Sequence, residues 1–298
     1  MAPRPRLASE LSGPARLRAE LLRTVASLER RIGAGLGHPT LDPEEIHEIH
    51  RELRRLTSGL GVWSQLVAPG RAAGVRETAS RIRRLARLVG RARDRDVTAG
   101  LLAVSGRSPR GGDPRDGWNE FLGRFREDAH TGRELLRAFL RSERQAGLFE
   151  RVRALLGDPT RADAARGLHR ILAAERRLRQ GKVRKAHRKA RRDPTSERLH
   201  RLRIRIRQWR HLATLESTAR VPVSRPPPSW RSLQDRLGRL HDLDIALATI
   251  PGELNGAAPA RRLRNRRREL RSSVWVSLER MATRPERATA RARNRTVR

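Results

Sequence analysis

Residues 197–216 constrain the fold more than any other part of the chain. This stretch contains no Gly or Pro, the two residues that most disfavour a helix. Its apolar residues recur at steps of three and four, which predicts a helix with one buried stripe. The stripe consists of Leu199, Leu202, Ile206, Trp209 and Ala213. A basic row follows the same steps about 100° further round the helix. This row consists of His200, Arg203, Arg207 and Arg210.

A second helix of the same kind is predicted at residues 45–60, after the favourable helix start Asp42-Pro43. Its apolar stripe consists of Ile46, Ile49, Leu53, Leu56 and Leu60. Its basic row consists of His47, His50 and Arg54, widened by Arg51 and Arg55. In both helices the cations border the buried stripe, so we expect an anion to meet them there.

The charge of the whole chain points to the same kind of partner. The 298 residues include 68 Lys and Arg but only 32 Asp and Glu, a formal charge of +36. All but three of the cations are arginine. Codon bias in a GC-rich genome exchanges Lys for Arg, but it does not create an excess of cations over carboxylates. Such self-repulsion destabilises a compact state unless a polyanion or salt neutralises it, so we expect a polyanionic partner.

Composition also excludes several classes of protein. The chain has no cysteine, which excludes disulfides, thiolate catalysis and Cys-ligated metals. No apolar run approaches the ~20 residues that span a bilayer. The first residues lack the apolar segment of a signal peptide, so we expect a cytoplasmic protein. Aromatic residues are 3% of the chain, few for a protein that stacks single-stranded bases on aromatic side chains.

The pattern along the chain predicts an all-α fold, because alternation with a period of two residues is missing at useful length. We predict a flexible start at 1–13, a helical domain at 14–252, and a loop and helix at 253–283. A disordered Arg-rich tail at 284–298 is expected from its charge and low apolar content. Gly90 is predicted to end one helix and Gly181 to interrupt another.

The chain contains an internal repeat. Residues 89–97 match residues 237–245 through a Gly-x-x-x-Asp-x-Asp pattern, and His47 and His200 precede them in the same order. The halves are about 14–140 and 145–252. We therefore predict two similar helical bundles related by an approximate twofold, each burying one apolar face.

The repeated residues resemble the CHAD domain family, the conserved-histidine α-helical domain. In that family a His is followed three residues later by Arg and seven later by Arg or Lys, and then by a Leu-Arg pair. The later helix matches this closely, with Trp209 in the usual Leu place. The matching cations are His200, Arg203, Arg207 and Arg210.

The earlier helix and both Asp-x-Asp segments carry the same resemblance. His50 stands where the family has Arg, and Thr57 where it often has another Arg. The remaining matches there are His47, Arg54, Arg55 and Leu56. Residues 89–97 resemble the family's Leu-Gly-x-x-Arg-Asp-x-Asp-Val pattern. Residues 237–242 resemble its Leu-Gly-x-Leu-Asn-Asp pattern, with His241 for Asn. The resemblance covers roughly residues 15–250, a span within the usual size range of a domain.

The resemblance implies a pair of four-helix bundles about a pseudo-twofold, with a basic groove or central channel that binds inorganic polyphosphate. It also implies targeting to polyphosphate granules. We expect no catalytic activity, because the sequence offers no nucleophile–base pair, Gly-x-Ser-x-Gly elbow or Walker loop. The expected binding residues are His47, His50, Arg51, Arg54, Arg55, Arg83, Arg93, Lys182, Lys185, Lys189, His200, Arg203, Arg207 and Arg210. Arginines one helical turn apart, about 5.4 Å, suit a string of phosphates. A histidine beside phosphate is expected to favour binding at mildly acidic pH.

Alternative interpretations remain open on the sequence alone. A nucleic-acid-binding protein of nucleoid or ribosome type would use the same charges, and a phosphoryl-transfer enzyme or phosphatase using His and Asp is a third class. We expect no cofactor. The histidines of His47-Glu48-Ile49-His50 are three residues apart, whereas the zinc-protease helix needs four. The Asp-x-Asp carboxylates are more consistent with arginine pairing or helix capping than with a metal site.

Overall fold

The computed structural model describes residues 12–107, 116–157, 164–223 and 225–283, and these residues form α-helices joined by short connections. The all-α prediction is confirmed. Ser12 and Gly13 begin the first helix, while the rest of the predicted flexible start and the predicted disordered tail lie outside the described residues. In the part of the chain that is described, no helix is long and apolar enough to cross a membrane.

The described residues form two compact units. The first takes its residues from 1–178 and 210–225, and the second from 179–209 and 226–298. This division differs from the predicted repeat halves, because two helices continue from one unit into the other. They are α6, Ala164–Arg192, and α7, Ser196–Thr218. The approximate twofold relation of the two bundles stays a prediction.

The first unit contains five whole helices in addition to its parts of α6 and α7. These are α1 Gly13–Gly37, α2 Pro43–Trp63, α3 Pro69–Gly106, α4 Asp116–Gln145 and α5 Leu148–Leu155. The helix α2 begins as predicted, with the Asp42 carboxylate accepting a hydrogen bond from the backbone N–H of Glu44 at 2.7 Å. The predicted apolar stripe of α2 is fully buried, from Ile46 to Leu60. This burial fixes which face of α2 points away from the core.

The helix breaks predicted at Gly90 and Gly181 are wrong. The helix α3 runs unbroken from Pro69 to Gly106, and α6 runs unbroken past Gly181. A glycine inside a helix costs only about 1 kcal/mol relative to alanine, and the packing of the flanking apolar residues outweighs that cost. Gly90 is buried in its helix, which indicates a packing role for this position.

The second unit is completed by two further helices, α8 Pro228–Thr249 and α9 Ala258–Thr283, joined through a 3₁₀ turn at Gly252–Leu254. Its core combines residues of α6, α7, α8 and α9. Among them are Val183, Leu202, Ile206, Leu237, Val274 and Leu278. The sequence analysis placed residues 253–283 after the helical domain, but the structure buries Val274 and Leu278 of α9 in the core of this unit.

Truncation of Leu278 tests the place of α9 in this core. Leu278 is fully buried, so L278A should lower the free energy of unfolding by about 2–5 kcal/mol through lost burial and a cavity. The control V276A truncates a neighbour on the same helix that is 44% exposed, and should change stability by no more than about 0.5 kcal/mol. Urea unfolding followed by tryptophan fluorescence measures both. Equal effects of the two substitutions would show that α9 does not belong to this core.

Candidate functional site

A close pair of histidines lies in the second unit, where α7 packs against α8. The Nδ1 atoms of His200 and His241 are 3.2 Å apart, and the ring centroids are 4.3 Å apart. At this distance one Nδ1 donates a hydrogen bond and the other accepts it, so the accepting nitrogen carries no proton. Both side chains are half-buried. The predicted site residue His200 is thus held by a partner on the neighbouring helix.

The surroundings of His241 are strongly positive. Burial, the charge of Arg203, the neighbouring His200 and the charge of Arg207 together lower the pKa of His241 to about 4, against the opposing effect of Asp244. His241 is therefore neutral near pH 7. Because two arginines contribute to this shift, the structure brings the predicted residues Arg203 and Arg207 within electrostatic reach of one histidine.

The basic row of each repeat lies against a glycine inside the next helix, and the approach is closest at Gly90. A Cβ atom at Gly90 of α3 would lie 3.2 Å from Nε2 of His50 on α2. In the second unit, a Cβ at Gly238 of α8 would lie 3.8 Å from Nε of Arg203 on α7. His50 and Arg203 occupy the same place in the repeat, as do Gly90 and Gly238. The repeat therefore reproduces one packing contact in both units.

The next cation in the basic row of α2 is equivalent in the repeat to the next cation in the basic row of α7. Arg54 on α2 and Arg207 on α7 are both half-buried, and the Nε atom of each is shielded from solvent. Such side chains bury their stems along the apolar stripe and keep the guanidinium at the edge of the core. The prediction that these cations border the buried stripe is confirmed for this pair.

Acidic side chains of α2 lie on a different face from its basic row. Arg31 of α1 lies 3.5, 3.9 and 3.6 Å from the carboxylates of Glu45, Glu48 and Glu52. Arg51, which the sequence analysis placed in the basic row, forms an ion pair with Glu48 of its own helix. The acids are therefore engaged by α1, away from His50 and Arg54.

The Asp-x-Asp carboxylates pair with arginines. Asp94 accepts a hydrogen bond from Arg93 at 2.8 Å, so the predicted site residue Arg93 is already engaged by a carboxylate. Asp96 and Asp244, equivalent in the repeat, accept from Arg133 of α4 and Arg267 of α9, each at 2.5 Å. Arginine pairing is thereby confirmed for these three carboxylates. Within the described ranges no three His, Asp or Glu side chains are grouped to hold a metal ion.

The remaining predicted site residues lie at the surface or at its edge. His47 and Arg83 are exposed in the first unit, and Arg55 and Arg210 are half-buried. On α6 the three lysines are exposed, on a face that lies about 120° round the helix from Val183 and Ala190. They are Lys182, Lys185 and Lys189. The structure thus brings His200, Arg203 and Arg207 together with His241, whereas the lysines form a solvated row.

Sequence reasoning did not select His241 as a site residue, although it stands in the Asp-x-Asp segment. The available signal was its position in the repeat, where His241 corresponds to Arg93. A residue that is basic in both halves, on the helix facing the basic row, indicates a shared role. The distance to His200 is a tertiary feature that no periodicity within one helix can show.

Comparisons with known proteins agree with the all-α fold. A model of the CHAD domain family matches residues 10–251 of the chain. The chain is similar in fold to the crystal structure of the CHAD domain from the plant Ricinus communis, with a TM-score of 0.60 and 19% identity. That alignment covers 92% of this chain and 93% of the plant chain. No curated protein matches the chain.

The stability of the fold should depend on the protonation of His241. Its folded pKa of about 4 lies below the unfolded value of about 6.5. The unfolded chain therefore binds a proton that the folded state rejects, and stability should fall as pH is lowered from about 6.5 to about 4. Urea unfolding at several pH values measures this slope. The variant H241N, which cannot titrate, should show a shallower slope over the same range.

Nuclear magnetic resonance gives the same quantity for the single residue. The ring Cε1 proton of His241, assigned from its absence in H241N, should titrate near pH 4 in the folded protein. Titration near pH 6.5 would contradict the positive surroundings inferred for this side chain.

Proposed function

The chain belongs to the CHAD domain family, and we propose that it is a non-catalytic protein that binds inorganic polyphosphate. The proposal rests on one observation above all: Arg203 and Arg207 lie close enough to the half-buried His241 for their charges to add to the effect of burial, which is the main cause of its lowered pKa. A folded surface with that potential attracts an anion, because an anion that meets both guanidinium groups relieves their effect on the histidine and on one another.

The geometry of the basic rows suits a chain of phosphates. Arg203 and Arg207 are four residues apart on α7, so they lie about one helical turn, or about 5.4 Å, from each other. A guanidinium group presents paired N–H donors to two oxygens and keeps its charge at physiological pH. Arg54 of α2, equivalent to Arg207, offers the same chemistry in the first unit. Polyphosphate, with about one charge per phosphate and no bases, requires nothing further of the surface.

The aromatic side chains favour polyphosphate over single-stranded nucleic acid. Base stacking requires exposed aromatic rings. All five Trp and four Phe side chains lie in the described part of the chain, and among them Trp275 alone is exposed. Double-stranded nucleic acid stays the second candidate, because the charge of +36 attracts any polyanion.

We assign no catalytic step to the chain. Its sequence has neither a Gly-x-Ser-x-Gly elbow nor a phosphate-binding Walker loop. Asp94, Asp96 and Asp244 are bonded to arginine, which leaves them poorly suited to act as general bases. The proposed setting is the cytoplasm, in association with polyphosphate granules. Release of orthophosphate from polyphosphate in the presence of magnesium would identify an enzyme instead.

Replacement of the α7 cations tests the proposed binding surface. The variant H200A/R203A/R207A removes two guanidinium groups and one imidazole, and should weaken polyphosphate binding at least about tenfold, since each charge-assisted hydrogen bond contributes about 1.5–3 kcal/mol. The control R239A/R266A removes two exposed arginines, one of them about 200° from His241 round α8. It should bind within about twofold of the unaltered chain.

Isothermal titration at fixed salt measures both affinities, and circular dichroism checks that helix content is preserved. Equal losses in the two variants would show that net charge, and not this surface, governs binding. Competition separates the two polyanions: per phosphate, polyphosphate should displace labelled duplex DNA more readily than DNA displaces polyphosphate. Equal displacement would favour the nucleic-acid alternative.

A further inference from the structure

A basic cleft lies in the second unit, about one helical turn from the His200–His241 pair on α7 and α8, and contains neither histidine. It is formed by the end of α8, the 3₁₀ turn and the first half of α9, beside the first residue of α7, and has a volume of about 700 Å³. Three arginines of α9 line it: Arg264, Arg267 and Arg268. Their spacing of three and four residues places them on one face of the helix.

Each arginine is held in place but keeps donors to spare. Arg264 donates through Nη2 to the carbonyl oxygen of Asn255. Arg268 donates through Nη2 to Oδ1 of Asn265 at 3.0 Å. A guanidinium group has five N–H donors, so these single bonds orient Arg264 and Arg268 without exhausting them. An oriented guanidinium loses less conformational entropy when it binds an anion.

The charges in the cleft are unbalanced. Its one carboxylate, Asp244, accepts from Nε of Arg267 at 2.5 Å, and Arg267 also donates to Oγ of Ser196 at 3.3 Å. Arg267 is thus neutralised and holds the walls together. Neither Arg264 nor Arg268 forms an ion pair with any residue that the structure describes, so about two positive charges remain.

The start of α7 adds to this potential. Ser196 is the first residue of a 23-residue helix and lines the cleft, where its hydroxyl accepts a hydrogen bond from Arg267. The N-terminal end of a helix carries a partial positive charge and favours anions in its first turn. A tetrahedral oxyanion needs several hydrogen-bond donors. The cleft offers two guanidinium groups, one hydroxyl and the N-terminal end of α7.

We propose that this cleft binds the terminal phosphate of a short oligophosphate or of a phosphate chain. A terminal phosphate can lose a second proton near pH 6 and then carries a charge of about −2, whereas an internal phosphate carries about −1. The charge of about −2 matches the two arginines that have no carboxylate partner. The site uses none of the residues of the α7 surface, and α9 lies beyond residues 10–251 that the family model matches. The site therefore stands independently of the proposed function.

Linear and cyclic phosphates distinguish a terminal from an internal phosphate. Inorganic triphosphate has two ends, whereas trimetaphosphate has three phosphates in a ring and no end. Titration is done on the full chain carrying H200A/R203A/R207A, so that the α7 surface does not contribute. Triphosphate should bind this chain at least about tenfold more tightly than trimetaphosphate. Equal affinities would overturn the assignment of a terminal phosphate.

Substitutions in the cleft locate the binding. In the chain that already carries H200A/R203A/R207A, the further substitutions R264A/R268A should weaken triphosphate binding at least about tenfold. The control substitutions R239A/R266A remove the same charge outside the cleft and should change triphosphate binding less than about twofold. The conservative pair R264K/R268K keeps the charge but loses the paired donors, and should recover part of the affinity. Equal losses in the alanine variant and its control would overturn the site.

Two further experiments are needed. One distinguishes the end of a phosphate chain from a free small phosphate, and the other distinguishes the cleft from the α7 surface. If the ligand is a chain end, polyphosphates of different lengths should displace triphosphate in proportion to the concentration of ends. Displacement that does not follow the concentration of ends would assign the cleft to free small phosphates. Loss of triphosphate binding in R264A/R268A alone, with long-chain binding lost only in H200A/R203A/R207A, would confirm two sites. If R264A/R268A does not weaken triphosphate binding while long-chain polyphosphate still binds the unaltered chain, this inference is overturned but the proposed function is not.

Discussion

The repulsion between cations held beside a buried apolar stripe governs the behaviour of this molecule. Burial of Leu202 and Ile206 fixes the rotation of α7 and places Arg203 and Arg207 at the edge of the core, where water screens them less. Burial lowers the pKa of His241 most, and the charges of Arg203 and Arg207 lower it further, which can be measured. An anion that meets these arginines removes a repulsive contribution that the folded state otherwise carries, so binding and stability are linked.

The approach of the helices matters as much as the charges. Gly90 and Gly238 lie inside unbroken helices beside the basic row of the preceding repeat helix, and at Gly90 the missing side chain leaves room for His50. A larger residue at Gly90 would have to displace His50. The second Asp of each repeated segment then bonds an arginine on the next helix of its own unit. The same sequence pattern therefore brings the helices together and engages these carboxylates with arginine partners.

Much of this could be predicted from local sequence. The stripes of α2 and α7 and the capping of α2 by Asp42 depend on periodicity and on neighbouring residues, so they are readable from one chain. The continuation of α3 through Gly90 and of α6 through Gly181 could not be predicted in this way, because tertiary packing decides whether a glycine ends a helix. The contact of His200 with His241 joins residues 41 apart in sequence. The arginines of α9 gain significance only from the cleft that surrounds them.

Proton uptake on binding tests the central claim most directly. If polyphosphate meets Arg203 and Arg207, it offsets their effect on His241, whose pKa should rise from about 4. Titration calorimetry at pH 5.5 in buffers of different ionisation enthalpy should then show uptake of up to about one proton per molecule on binding long-chain polyphosphate. H241N should bind with smaller uptake. The absence of proton uptake by the unaltered chain, or equal uptake by H241N, would contradict binding at this surface.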